Sequence, residues 1–310
     1  MELIVLKAKW IGDLAYRLLL NFTSKGITYF GKVLNVFRST VNIRTLTNDL
    51  ISITSRYIVS PIHIYVDQDI YQDFNYLVKA YDRVDLDVNN SLVSLNIGNN
   101  VKVIIDLDAK VYHSMVINDR FLRIISLNVG SDYLKELIRK FLFIGNICEL
   151  LDRSVNKVIL SIFREYILHN KVDCTLIRNI LRRMIKYLGL GRGFTPSFDD
   201  FFTTFTFIVS TYYRHCKSDN IVSEKEILEN TSWVSGKIIL YAMKGFVPHY
   251  VINVLLNLAK KGDVLDSLLS LASIGHNSGF YMGLGILSAL ALIHKDKDEI
   301  IKYIMKGLTD

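Results

Sequence analysis

Two short stretches gather the residues whose types and spacing can do chemistry. The first runs from Gly189 to Phe202 and reads GLGRGFTPSFDDFF. Its glycines, including Gly191 and Gly193 around Arg192, allow close backbone approach. Thr195, Pro196 and Ser197 then open a helix that carries Asp199 and Asp200 in its first turn. Free N–H groups at a helix start suit an anion, and preceding glycines let a ligand come near them. Two adjacent acids at the same end would repel that anion. Either a divalent cation held by Asp199 and Asp200 bridges to it, or the acids face away and hold neighbouring groups. A third reading needs no ligand: acids in a first turn favour the positive end of the helix by roughly 0.3–1 kcal/mol each.

The phenylalanines orient this helix. Phe198, Phe201, Phe202 and Phe205 fall on one stripe, which the helical period turns toward the core. At 100° per residue, Asp199 and Thr203 then lie on one flank, and Asp200 and Thr204 lie nearly opposite the core. The acids are expected to diverge. Thr195 is the expected N-cap, with Pro196 in the first helical position. The glycine spacing matches neither the dinucleotide nor the P-loop phosphate fingerprint.

The second stretch, residues 273–285, reads SIGHNSGFYMGLG. Gly275 is placed to end one helix, and Asn277 or Ser278 to cap the next. His276 shares that polar turn, which makes it a candidate proton carrier. Gly279, Gly283, Gly285 and Ala289 are spaced for close helix packing. The chain has no HExxH, HxH or GxSxG motif.

The elements that must position these turns follow from periodicity. Short β-branched and aromatic runs predict strands at 27–37, 50–55, 62–66, 91–97 and 101–107, the last two joined by a turn at Gly98-Asn99-Asn100. Helices are expected at 10–21 and 71–81. From about residue 132 the period becomes helical, predicting helices at 132–151, 155–168, 174–188, 197–213, 223–244, 248–260, 264–274, 278–294 and 298–308. The fold class is therefore α+β: a β-rich domain at 1–130 and a helical domain at 131–310 carrying both polar turns.

Composition narrows the partners. With 310 residues, 50% hydrophobic and 22% charged, the chain has ample material for a core. A net charge of +7 permits anionic partners. No block of basic residues with interleaved aromatics appears, so nucleic acid is a disfavoured partner. Arg178, Arg182, Arg183 and Lys186 form a basic helix face, either solvated or an anion-facing rim. Cys148, Cys174 and Cys216 are odd in number and widely spaced, which predicts reduced thiols in a cytoplasmic protein. The first twenty residues lack the basic segment of a signal peptide. The apolar run 280–293 is too short for a membrane span and reads as a core helix, so no membrane partner is expected.

Both motifs, in this order in a helical half, resemble a family of unknown function that includes the small subunit of oxamate carbamoyltransferase from allantoin breakdown. Gly189, Gly191, Gly193, Thr195, Pro196, Ser197, Asp199 and Asp200 match its G-L-G-x-G-L-T-P-S-G-D-D-F-L motif, and Gly275, His276, Ser278, Gly279 and Gly285 match its G-H-T-S-G-x-D-x-L-x-G motif. Thr231, Ser235 and Gly245 fit a weaker pattern between them, and the N-terminal half resembles the family around 31–37 and Ser60-Pro61. Phe198 stands where the family usually has glycine, and Tyr281 where it usually has an acid.

The resemblance implies a subunit of a carbamoyltransferase acting on small anions, which exchanges carbamoyl between oxalurate and phosphate alongside other protein subunits. The alternative is a non-catalytic binding or scaffold subunit, which the loss of the acid at Tyr281 favours. On the catalytic reading, Asp199, Asp200 and His276 are the candidate catalytic residues. Gly191, Arg192, Gly193, Thr195, Ser197, Asn277, Ser278 and Gly279 are the candidate anion-binding residues, and Asp199 and Asp200 the candidate metal ligands. It requires Arg192 and Asp199 to lie within reach of His276.

Overall fold

The computed structural model describes residues 3–67, 73–89, 92–108, 110–114, 117–167, 172–216 and 222–309. Its contacts divide the chain into two compact units, Met1–Met115 and Val116–Asp310. Strands fill the first and helices the second, an α+β fold. Parts of three expected elements, at 71–72, 91 and 168, lie outside the described residues.

The first unit holds β1 (Ile4–Gly12), α1 (Asp13–Ser24), β2 (Tyr29–Phe37), β3 (Thr40–Thr45), β4 (Leu50–Thr54), β5 (His63–Val66), α2 (Phe74–Leu77), β6 (Arg83–Asn89), β7 (Leu92–Ile97), β8 (Val101–Asp106) and β9 (Val111–Tyr112). The strands follow the order β5-β4-β3-β2-β6-β7-β8-β1-β9, and β5 also pairs with β1. The row therefore closes on itself. β1 accomplishes this by pairing in parallel with β8 through Ile4–Lys7 and antiparallel with β5 through Ala8–Ile11. Alternate side chains of the strands, among them Val33, Ile43, Ile53, Val84, Leu95 and Val103, fill the interior together with Ala15, Leu19 and Phe22 of α1. Gly12 makes the turn from β1 into α1. A Cβ there would strike the Ser60 and Pro61 carbonyls, and the Pro61 oxygen accepts from Leu14 and Ala15 N–H at 3.1 and 3.0 Å.

The second unit is helical: α3 (Asp119–Asn128), α4 (Ser131–Ile147), α5 (Arg153–Ile167), α6 (Cys174–Ile185), α7 (Ser197–Tyr212), α8 (Glu224–Asn230), α9 (Trp233–Met243), α10 (His249–Lys260), α11 (Val264–Ala272), α12 (Ser278–Ile293) and α13 (Lys297–Thr309). The stretch expected as one helix at 223–244 is two. The chain breaks at Thr231, and the Ser232 side chain caps α9 by accepting from Ser235 N–H at 3.2 Å.

α7 and α12 form the centre of this unit. Every residue of α12 from Gly279 to Ile293 and every residue of α7 from Ser197 to Thr211 is buried. The two helices approach closely at Gly285, where any Cβ would strike the Phe201 carbonyl and the Thr204 hydroxyl. That hydroxyl donates to the Met282 carbonyl at 2.7 Å across the contact.

The one-faced orientation expected for α7 is corrected here. Thr204 and Asp200, placed opposite the core by the phenylalanine stripe, are 0% and 3% exposed, because α3, α6, α9 and α12 surround the helix. Its polar face is tolerated because hydroxyls close onto backbone carbonyls, as Thr203 does onto Asp199 at 2.7 Å. Pro196, rather than Thr195, occupies the N-cap, and the helix begins at Ser197.

The cysteine expectation is also corrected. Cys174 and Cys216 form a disulfide, joining the start of α6 to the short turn after α7, while Cys148 remains a free, exposed thiol. Spacing in sequence conceals a pair brought together by an intervening helical hairpin, and the argument from reduced thiols to a reducing compartment does not stand. Among the described residues, no helix is long and apolar enough to cross a membrane. Thiol titration of the native, non-reduced protein is expected to report one reactive group, and three after reduction and unfolding. Replacing Cys174 and Cys216 by serine is expected to lower stability by about 2–4 kcal/mol in thermal or denaturant unfolding.

Candidate active-site cleft

The two polar turns meet. The Asn277 side-chain amide donates to the Ser197 hydroxyl at 2.9 Å, and the Thr195 and Ser278 hydroxyls are 3.2 Å apart. Above them opens a cleft of about 1110 Å³. Three segments line it: Gly191–Thr195, Gly275–Ser278, and the turn from α4 into α5 at Glu149–Ser154.

Local physics shapes each wall. Gly189, Gly191 and Gly193 take φ of 83°, 110° and 108°, a region that strongly favours glycine. A Cβ on Gly191 would lie 2.8 Å from Ser197 N. This winding lets the Leu190 carbonyl accept from Phe198 N–H at 3.0 Å, while Asp199 and Asp200 N–H bond to the Pro196 carbonyl. The amides of Phe198, Asp199 and Asp200 are thus engaged within the protein rather than left for a ligand. The exposed side chain of Arg192 stands on this loop, and its charge acts on Asp152 across the cleft.

The α4–α5 wall escaped the sequence reading. Asp152 caps α5, its Oδ1 accepting from Ser154 N–H and Oγ–H at 2.9 and 2.5 Å. Burial alone would raise its pKa, but these bonds, with that from Val155 N–H and the charge of Arg192, hold it below the usual carboxylate range. Behind it, Tyr281 is fully buried and its hydroxyl accepts from Asp152 N–H at 2.6 Å. Tyr281 therefore supports this wall from α12, with its hydroxyl 3.1 Å from the Asn156 side-chain oxygen. The available signal was the helix break followed by the Asp-Arg-Ser cap pattern at 152–154.

The two acids of α7 point to different sides. The Asp199 carboxylate accepts from Gly189 N–H at 2.7 Å and from the Thr231 hydroxyl. It ties the glycine loop to the α8–α9 junction and does not line the cleft with Arg192 and His276. Burial raises its pKa, against the opposing pull of the Thr231 and Gly189 bonds. Asp200 lies beneath the cleft, beside the Thr195 and Ser278 hydroxyls. Burial raises its pKa well above the usual value, the two hydroxyls oppose that, and the neighbouring Asp199 charge adds to it. Its Oδ2 has no hydrogen-bond partner.

Such a divergent pair does not fit the shared cation that adjacent acids suggested, since each carboxyl faces hydroxyls or amides on its own side. Among the described residues, no three His, Cys, Asp or Glu side chains gather to hold a metal. Gly279 packs on α11, where a Cβ would strike the Leu271 carbonyl. Phe198 fills core space against Tyr187 and Phe201. Of the basic face on α6, none of Arg178, Arg182, Arg183 and Lys186 lines the cleft. Arg183 instead pairs with Glu165 and donates to the Ser161 hydroxyl at 3.0 Å.

Residues 187–290 match the family model described as oxamate carbamoyltransferase subunit AllH. The matched segment begins just before the glycine loop and ends within α12, so it contains both polar turns but not the α4–α5 wall. No curated protein and no solved structure is significantly similar to the chain.

Gly191→Ala is expected to cost about 1–3 kcal/mol, because the substitution strains the backbone at a positive φ. The control is Gly130→Ala, at an extended position with open space around it, where thermal unfolding is expected to change little.

Proposed function

We propose that this chain is a subunit of a carbamoyltransferase-type complex and that its cleft holds the small anions of the reaction. The observation that carries this reading is the meeting of the two turns: Arg192, Thr195, His276 and Ser278 line one cleft, and its family-matched segment includes all four. Arg192 attracts and orients an oxyanion, and the hydroxyls of Thr195 and Ser278 offer short-range donors.

In the exchange implied by the family, a phosphate oxygen attacks the terminal carbamoyl carbon of oxalurate. The carbon–nitrogen bond to the oxamate portion breaks, and that nitrogen takes the proton given up by phosphate. His276, exposed at the rim, is proposed to carry that proton, and Arg192 to offset the charge of the reacting oxyanions. Asp199 has a positioning role, holding the glycine loop in register. Other subunits of the complex complete the site.

The second reading is a binding subunit without chemistry of its own. Tyr281 favours it, because this side chain is committed to supporting the α4–α5 wall. Carbamoyl transfer by the assembled complex distinguishes the two. His276→Ala is expected to lower kcat by about 10², and Arg192→Ala to weaken phosphate or oxamate binding about tenfold. Full activity of both variants within an intact complex favours the binding subunit.

A further inference from the structure

Among the described residues, Asp200 lies beneath the cleft with surroundings that remain incomplete. It is 3% exposed, its Oδ2 has no hydrogen-bond partner, and the hydroxyls beside it belong to two cleft-lining residues, Thr195 and Ser278. A carboxylate in this position would accept from those hydroxyls. Both would then turn their hydrogens down, present lone pairs to the cleft and place a buried negative charge under any anion. A carboxylic acid does the reverse. It has a single proton to donate: given to one hydroxyl, it lets that hydroxyl, directly or through its neighbour 3.2 Å away, present a hydrogen to the cleft.

We propose that Asp200 sits protonated beneath Thr195 and Ser278 and makes the cleft floor an oxyanion subsite, selecting a carboxylate or phosphate group by turning this hydroxyl pair from acceptor into donor. The inference rests on the anion-binding reading of the cleft and adds a specific positioning residue to it. The direction of the Asp200 pKa agrees, since burial raises it well above the usual carboxylate value. An ionised carboxylate with an empty oxygen in a dry core costs several kcal/mol, whereas the neutral acid costs far less.

Other titratable groups surround this position. Asp199 lies on the same helix, and its charge reinforces proton retention. The cleft walls bring Arg192, His276, Glu149, Asp152 and Arg153. The adjoining helices bring Lys237 of α9, which is paired with Glu224, and Tyr281 of α12. Of these, His276 is the imidazole that lines the cleft, so its contribution must be separated from that of Asp200.

The test uses sulfate, an oxyanion of constant charge across the range, titrated calorimetrically into the full chain between about pH 5 and pH 9. Wild-type affinity is expected to fall with rising pH, by up to about tenfold per unit above the Asp200 pKa. His276→Ala is expected to retain that fall. Asp200→Asn, whose amide donates to the hydroxyls without titrating, is expected to bind sulfate with a much shallower profile, flat when combined with His276→Ala. Ser278→Ala, which removes a donor and leaves Asp200 in place, is expected to weaken sulfate about tenfold at low pH and serves if the asparagine variant does not fold. A wild-type slope in Asp200→Asn, a slope abolished by His276→Ala alone, or undiminished binding in Ser278→Ala overturns the proposal. If sulfate does not bind at all, or Arg192→Ala is equally without effect, the anion-binding reading of the cleft fails with it. Loss of binding in Arg192→Ala beside an unchanged slope in Asp200→Asn leaves that reading standing and removes only the role of Asp200.

Discussion

Two carboxyls on one fully buried helix are the constraint that orders the second unit. An unpartnered ionised carboxylate in a core costs several kcal/mol, and a hydrogen bond to a charged group returns about 1.5–3 kcal/mol. Asp199 accepts one such bond on each oxygen, from the glycine loop and from the break before α9. Asp200 has only two hydroxyls beside it and an oxygen without a partner. The same sequence pair thus becomes two different devices, one a latch within the fold and the other the floor of a cleft.

The cleft depends on this arrangement from below and on Tyr281 from the side. α7 and α12 can sit close enough for their leading turns to meet only because Gly285 leaves room for the Phe201 carbonyl. With the helices in contact, Asn277 reaches Ser197 and Ser278 reaches Thr195. The third wall is fixed through the tyrosine hydroxyl on Asp152 N–H. Tyr281 is therefore an uncharged brace for that wall.

Much of this was legible in the residues. The helical period located α4–α7 and α10–α13 to within a few residues, and glycine followed by a capping pattern placed both turns at helix starts. The divergence of the acids followed from the 100° step between neighbours. Burial of Asp200 did not follow, because a phenylalanine stripe identifies one apolar face and says nothing of helices covering the opposite one. Hydroxyls closing onto backbone carbonyls let a polar face enter the core. β1, β3, β6 and β9 were missed: β1 pairs with segments distant in sequence, and β1 and β6 carry charged residues at outward positions. The disulfide and the α4–α5 wall are products of tertiary contact, formed between segments 42 and 129 residues apart.

The most direct measurement of the central claim is a crystal structure of the full chain grown with oxamate or phosphate at saturating concentration. The account predicts an oxyanion in the cleft within hydrogen-bond distance of the Thr195 and Ser278 hydroxyls, with the Arg192 guanidinium turned toward it. An anion bound elsewhere while this cleft holds only water, or one held without either hydroxyl, would contradict it.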